Sequence, residues 1–127
     1  MKKFIAVLVI LLAATALFAD PIQLGTFPIG QWIDPNYNAV WDFSSSNIRI
    51  LDTNGKVLWD FSTKTVNNFK VFLDGIQPGI SFTCPEAGRS YRFVIPATNT
   101  NALLTTVTME ITRNALPKYT VKMPKQQ

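Results

Sequence analysis

Two acidic residues with the same neighbours are the first candidates for chemistry in this sequence. The tetrapeptide Trp-Asp-Phe-Ser occurs at residues 41–44 and again at 59–62, so Asp42 and Asp60 have the same adjacent residues within it. A pair of carboxylates can divide the work of general acid and general base between them, as it does in glycosidases. Whether these two can act together depends on the strands that carry them and on the face to which each one points.

Other groups that commonly carry catalysis are missing. The sequence has no histidine, which removes the commonest general base near neutral pH and the imidazole ligands of metal ions. A Ser-His-Asp triad and a Cys-His pair are therefore excluded. The sequence also has no glycine-rich phosphate loop, no EF-hand pattern and no cluster of cysteines. We expect no enzyme activity, no metal site and no cofactor.

Turn signals set the strand pairing around the two acids. Asn54-Gly55 lies between two runs typical of strands and predicts a two-residue type I′ turn, in which both central residues have positive φ. A four-residue loop after Phe43 is the second predicted turn. Together the two turns predict a three-stranded meander with the cross-strand pairs Trp41–Ile50, Asp42–Arg49, Phe43–Ile48, Ile50–Trp59, Arg49–Asp60, Ile48–Phe61 and Thr53–Lys56.

Alternation along these strands separates a buried face from a solvent face. The predicted inner rows are Trp41/Ile50/Trp59 and Phe43/Ile48/Phe61. Asp42 and Asp60 then fall on the outer face, with Arg49 between them. Such a charge row is an ordinary feature of a sheet exterior, where each ion pair contributes little. We therefore interpret the two acids as a solvated charge row rather than as a catalytic pair.

Short strand-like runs follow one another along most of the chain. Eight or nine runs of about six residues are bounded by Gly, Pro, Asn or Asp, and no stretch after the first 19 residues has a sustained helical period. Sequential neighbours joined by short turns favour an antiparallel up-and-down meander, and closing it into a barrel would remove its exposed edges. The runs are shorter than the ~9–11 residues that an outer-membrane strand needs. We therefore predict an all-β fold, a small soluble barrel of eight or nine strands.

The first 19 residues have the pattern of a secretory signal peptide. Lys2-Lys3 precedes a run from Phe4 to Ala19 that is apolar at first and then rich in small residues. Cleavage is predicted after Ala19, with Ala16 as the alternative, and leaves residues 20–127 as one secreted or periplasmic domain. The run is 16 residues long, short of the ~20 that a membrane-spanning helix needs. No membrane span is expected once the leader is removed.

Charge and cysteine content narrow the choice of partner. The N-terminal lysine pair contributes two of the 12 basic residues, so the domain keeps ten against eight acidic residues and a net charge of +2. Its basic cluster, Lys118, Lys122 and Lys125, is interpreted as a solvated strand edge, and no nucleic-acid partner is expected. Cys84 is the only cysteine, so no intrachain disulfide can form, and its thiol is predicted to be buried. We expect a monomer held together by its core.

Gly30-Gln31-Trp32, on the first predicted strand, resembles the Gly-x-Trp signature of the lipocalins and the wider calycin superfamily. The chain is also similar to short exported bacterial lipocalin-like proteins in its Trp-x-Phe and C-terminal Tyr-x-Val-x-Met patterns. In that family the tryptophan closes one end of the barrel, and a basic side chain at or after the last strand packs across its ring. The resemblance implies that Arg113, or else Lys118, covers Trp32 through a cation–π attraction.

Aromatic side chains dominate the predicted interior. The alternation turns eight of them inward, namely Trp41, Phe43, Trp59, Phe61, Phe69, Phe82, Tyr91 and Phe93. An eight-stranded barrel is just wide enough to be filled by side chains or to hold one small ligand, and eight aromatics favour filling. A binding site would then be an apolar pocket at the open mouth of the barrel.

Two functions and one alternative fold follow. The resemblance implies a non-enzymatic binding protein that takes a small hydrophobic molecule at one barrel end. The alternative is a protein-interaction module. Small exported bacterial calycins include protease inhibitors that insert their N-terminal segment into the cleft of the enzyme. In this chain that segment would be Asp20 to Thr26. Cys84 with Gly88-x-x-Tyr91-x-Phe93 suggests an immunoglobulin-like sandwich instead. That fold lacks its second cysteine here, and its Greek key would break the sequential pairing.

Overall fold

Nine β-strands make up most of the residues that the computed structural model describes, which are 19–96 and 106–126. The strands are β1 (Gly30–Asp34), β2 (Ala39–Ser44), β3 (Asn47–Leu51), β4 (Val57–Asp60), β5 (Asn67–Asp74), β6 (Gln77–Cys84), β7 (Arg89–Val94), β8 (Thr106–Arg113) and β9 (Tyr119–Pro124). One short 3₁₀ helix, Phe61–Thr63, lies between β4 and β5. The predicted all-β class is confirmed. Among these residues no helix has the length and apolarity needed to cross a membrane.

The strands pair in sequence order within two antiparallel sheets. The first sheet has the order β1-β2-β3-β4, and the second has the order β5-β6-β7-β8-β9. This sequential order is that of the predicted meander, and it differs from the crossed order of an immunoglobulin-like sandwich. The hydrogen-bonded pairing within residues 19–96 and 106–126 is thus divided into two sheets rather than joined in one closed ladder.

The first strand of one sheet, β1, contacts the end of the last strand of the other sheet, β9. Trp32 forms a single antiparallel bridge with Lys125, and the N–H of Gln126 donates to the carbonyl of Gln31 at 2.8 Å. We call these four residues the β1/β9 seam. It brings the start of the meander against its end.

The predicted pairing of the first sheet is confirmed around Ile50. Trp41 and Trp59 both pair with Ile50, one from each side. Arg49 lies in the same way between Asp42 and Asp60. The two acids therefore flank Arg49 in one outward-facing row.

The hairpin at Asn54-Gly55 differs from the predicted type I′ turn. Gly55 has a φ of 86°, but Asn54 does not have positive φ. The N–H of Asp52 donates to the carbonyl of Lys56 at 2.8 Å, and the Asp52 carboxylate accepts the N–H groups of Asn54 and Lys56. The loop therefore has three residues and closes between Asp52 and Lys56, as three-residue hairpins with one left-handed glycine do. A register shift after Ile50 compensates for the longer loop.

Phe61 is buried as predicted, but it begins the 3₁₀ helix instead of extending β4 opposite Ile48. The reason is the side chain of Asp60, which accepts the N–H of Ser62 at 2.9 Å and its hydroxyl at 2.7 Å. An aspartate that bonds to the backbone two residues ahead competes with strand pairing and caps a helical turn. The first sheet ends at this point.

Aromatic rings from both sheets fill the space between them. The ring of Trp41 lies 5.5 Å from that of Tyr91 and 5.2 Å from that of Phe93, measured between centroids. Six of the eight predicted aromatics are buried, and Trp59 and Phe69 are partly buried against the same core. Cys84 is buried in it as well, as predicted. The interior is therefore packed with side chains along most of its length.

The segment before β1 belongs to this core. Ile22 and Leu24 are buried, and the N–H of Asp20 donates to the carbonyl of Val66 at 2.8 Å. The N–H of Leu24 donates to the carbonyl of Ser45, in the turn between β2 and β3. The segment is thus bonded to both sheets instead of extending as a free arm. The predicted leader lies, up to residue 18, outside the described residues.

Candidate functional site

The Gly-x-Trp motif has a direct packing cause. Trp32 is fully buried, and the backbone of Gly30 runs against its indole. A Cβ at position 30 would lie 3.2 Å from Cη2 of Trp32, and Gly30 has a φ of 143°. Both observations favour glycine, because side chains rarely adopt such a φ and the ring leaves little room. Gly30 and Trp32 therefore form one packing unit at the β1/β9 seam.

The cation over Trp32 is Lys125. Its Nζ lies 6.0 Å from the centroid of the ring. Lys118 instead lies 3.9 Å from a carboxylate oxygen of Glu110, and Arg113 lies at the end of β8, where it bonds to Pro117. The expectation that Arg113 or Lys118 covers the tryptophan is therefore corrected. The bridge between Trp32 and the residue just after β9 brings Lys125 into place.

A cleft of about 270 Å³ lies at another part of the molecule, where strand ends of the two sheets face each other. Its lining residues are Asp34, Tyr37, Ala39, Trp41, Ile50, Arg89, Met109, Ile111, Arg113 and Tyr119. They come from β1, β2 and β3 of the first sheet, β7, β8 and β9 of the second, and the turn after β1. The cleft therefore needs both sheets.

The floor of the cleft is apolar. Trp41 and Ile50 are cross-strand partners on the first sheet. Met109 and Ile111 alternate along β8 and face them from the second sheet. Such a surface can bind the apolar part of a small molecule, and a few polar groups around it would orient that molecule.

A buried carboxylate joins the two sheets at one side of the cleft. Asp34 is only 2% exposed, and its oxygens lie 3.0 and 2.9 Å from the hydroxyl of Tyr119, which donates to them. Asp34 also accepts the N–H of Asn36 at 2.9 Å, and the amide of Asn36 donates to the Tyr119 oxygen at 2.8 Å. Burial raises the pKa of Tyr119, and the neighbouring Asp34 raises it further. The hydroxyl therefore stays protonated and bonded to Asp34 near neutral pH.

Two arginines lie at the mouth of the cleft. Arg89 and Arg113 are direct cross-strand partners on β7 and β8. One terminal nitrogen of Arg113 donates to the carbonyl of Pro117 at 3.0 Å, while its Nε is buried without a hydrogen-bond partner. Arg89 lies near the hydroxyl of Tyr91, whose pKa is raised by burial although Arg89 acts in the opposite direction. The ion pairs found among the described residues include neither arginine.

The two repeated acids are not part of this cleft. Asp42 is paired with Arg49, whose Nη2 lies 2.8 Å from its carboxylate. Asp60 accepts hydrogen bonds from Ser62 and Asn47, and these bonds lower its pKa. Each carboxylate is thus engaged by its own neighbours, so the structure does not combine them into an acid–base pair.

Residues from four separate segments of the sequence line the cleft, and the sequence pattern predicts the inward position of only some of them. Alternation from Trp32 places Asp34 on the inner face, and alternation from Tyr91 does the same for Arg89. A charged residue on an inner row is the signal that was missed. In the described part of the chain, acidic and cysteine side chains do not gather in a group of three that could hold a metal ion.

Comparison with known proteins adds no relative from which a role could be read. No protein-family model, no curated protein and no solved structure matches this chain.

Proposed function

We propose that this chain is an exported, non-enzymatic binding protein of the lipocalin-like type that takes a small apolar molecule at one end of its two sheets. The observation that carries this proposal is the cleft between the sheet ends, with its apolar floor of Trp41, Ile50, Met109 and Ile111. Concave sites lined by apolar side chains with a few polar groups are typical of small-molecule binding.

The lipocalin-like part of the proposal rests on the order of the strands and on the β1/β9 seam. The meander runs in sequence order through both sheets, and the seam brings its first strand against its last. Lys125 over Trp32 follows the last strand, which is where the resemblance implies a basic residue. We propose that the two sheets act together as one small, flattened barrel.

The packed interior limits the size of the ligand. Because aromatic rings fill the space between the sheets, the space left for a ligand between the sheet ends is the cleft of about 270 Å³. At about 30 Å³ for a group the size of water, this volume holds roughly nine such groups. The ligand class is therefore small molecules of about ten non-hydrogen atoms, rather than retinoids or long-chain lipids.

Titration of the mature protein with 1-octanol tests the proposal. Isothermal titration calorimetry, together with tryptophan emission, should show saturable binding, because Trp41 is part of the cleft floor. Ala39→Phe should abolish binding by filling the cleft. Ile76→Phe is the matched control, since Ile76 is 88% exposed and outside the cleft.

Circular dichroism of both variants would establish that they fold. Failure of octanol and of shorter alcohols to bind to the folded wild-type protein would contradict the binding function. Binding that survives Ala39→Phe in a folded protein would contradict its assignment to this cleft.

The export part of the proposal has a separate test. Mass spectrometry of protein recovered from outside the cytoplasm should give a chain that begins at Asp20, as cleavage after Ala19 predicts. A cytoplasmic chain that retains its first residue would contradict export.

A further inference from the structure

We propose that the ligand of the cleft carries one acidic group, and that Arg89 and Arg113 bind this group at the mouth while the apolar floor binds the rest. This inference rests on the proposed binding function and names the chemical class of its ligand. That class is a short amphiphile with a single carboxylate or similar anion.

Two like charges lie next to each other in the cleft. Arg89 and Arg113 are direct cross-strand partners, and both line the cleft. Like charges directly opposite each other on a sheet are destabilising. An anion between the two guanidinium groups would remove this repulsion, so the placement of the two arginines favours the binding of an anion.

Arg113 has unused hydrogen-bonding capacity. Arginine has five N–H donors, and Arg113 donates from Nη2 to Pro117 while its Nε is buried without a partner. A buried donor that lacks a partner destabilises the protein until something accepts its hydrogen bond. A carboxylate is well matched to this task, because it can accept two parallel N–H bonds from one guanidinium group.

The charged residues that line the cleft do not balance. Its one acidic lining residue is Asp34, whose oxygens already accept hydrogen bonds from Tyr119 and Asn36. Two arginines therefore face one carboxylate that is already engaged. The excess of one positive charge favours an anionic ligand over a neutral or cationic one.

The outward-facing arginine of β7 provides the contrast. Arg92 lies 3.0 Å from a carboxylate oxygen of Asp74 and 3.7 Å from one of Glu110. It has carboxylate partners within the protein, whereas Arg89 and Arg113 do not have them among the described residues. The same residue type on the same strand thus serves as the control.

Comparison of octanoate with 1-octanol tests the inference, because the two share an alkyl chain and differ in charge. Calorimetry on the mature protein should show octanoate binding about tenfold more tightly than octanol, the effect expected for charge-assisted hydrogen bonds. Arg113→Gln and Arg89→Gln should each lower the ratio of octanoate to octanol affinity about threefold, so that the two arginines together account for the tenfold preference. Arg92→Gln should change neither affinity.

The outcomes distinguish recognition of the acidic group from the small-molecule binding on which it depends. Equal affinities for octanol and octanoate, or octanoate binding that is unaffected in both folded cleft variants, would refute acid recognition and leave the binding function intact. If neither compound binds, the binding function fails and this inference fails with it. Two arginines are tested separately, so that misfolding of one variant still leaves the other informative.

Discussion

Strands β1 and β9 meet in two different ways along their length. At the β1/β9 seam they are joined by a backbone hydrogen bond from Gln126 to Gln31 and by a bridge at Trp32, whose side chain is fully buried. Beside the cleft they are joined through side chains, with the hydroxyl of Tyr119 bonded to Asp34.

The same two strands are therefore closely packed at the seam and leave a cleft beside their side-chain contact at the other end. Backbone pairing and close packing hold the seam, which leaves no room for a ligand. The cleft side is held by a polar contact between a strand end and a strand start, and space remains next to that contact. We therefore expect changes at the seam to affect stability most, and changes at the cleft to affect the proposed ligand binding.

The largest effect is expected for Trp32→Ala at the seam. Removing a fully buried tryptophan leaves a large cavity and should lower the free energy of unfolding by about 3–5 kcal/mol. Urea denaturation measures this change. Trp59→Ala is the control, because Trp59 is only partly buried against the core, and it should have a smaller effect. Equal losses in the two variants would break the comparison.

Gly30→Ala should come next, with a loss of about 3 kcal/mol. The new Cβ combines a φ of 143° with a contact of 3.2 Å to the Trp32 ring, and strained backbone alone costs of order 1–3 kcal/mol. Gly88→Ala is the matched control, since Gly88 also has positive φ but open space around it. Because Gly88 has a φ of 64° and Gly30 a φ of 143°, the difference between the two unfolding free energies measures the contact with Trp32 together with the larger backbone strain at position 30, and a zero difference would contradict both.

Tyr119→Phe should cost about 2 kcal/mol, because Asp34 loses a hydrogen bond while it stays buried. The loss should depend on pH. Since the pKa of Tyr119 is raised in the folded protein, its contribution is complete below the ordinary tyrosine pKa of about 10 and is lost as the pH rises through the folded value.

The stability gap between the wild type and Tyr119→Phe should therefore narrow above about pH 10. Urea denaturation of both proteins at pH 8 and at pH 10.5 tests this. Tyr91, whose pKa is also raised, titrates in both proteins and so cancels in the comparison. A gap that widens with pH would contradict the assigned hydrogen bond.

The smallest effect is expected for Lys125→Met. A cation 6.0 Å from the Trp32 centroid is at the outer limit of cation–π attraction, so about 0.5 kcal/mol should be lost. Lys122→Met is the control, because Lys122 is exposed on β9. A loss larger than that for Tyr119→Phe would mean that Lys125 supports the seam by more than its charge.

Local signals predicted much of the first sheet. The pairs Trp41–Ile50 and Ile50–Trp59 followed from turns of a few residues and are confirmed. The detail of the Asn54-Gly55 turn was wrong, because the Asp52 side chain bonds to the loop backbone and favours a three-residue loop. Such a competition between turn types depends on a single side chain and is easily missed.

The cleft and the seam could not be predicted in the same way, because their contacts are distant in sequence. Asp34 and Tyr119 are 85 residues apart, and the bridge between Trp32 and Lys125 joins the first strand to the residue after the last. No local turn fixes such a pair. It depends on how far the whole meander curves, which is the sum of small twists in every strand.

The single buried thiol provides a probe for these comparisons that requires no added label site. Cys84 is the only cysteine and is fully buried, so a thiol reagent can react only when the core around it opens. Its reaction rate under native conditions therefore reports how often the fold opens. The same measurement with and without octanoate would show whether occupation of the cleft slows that opening.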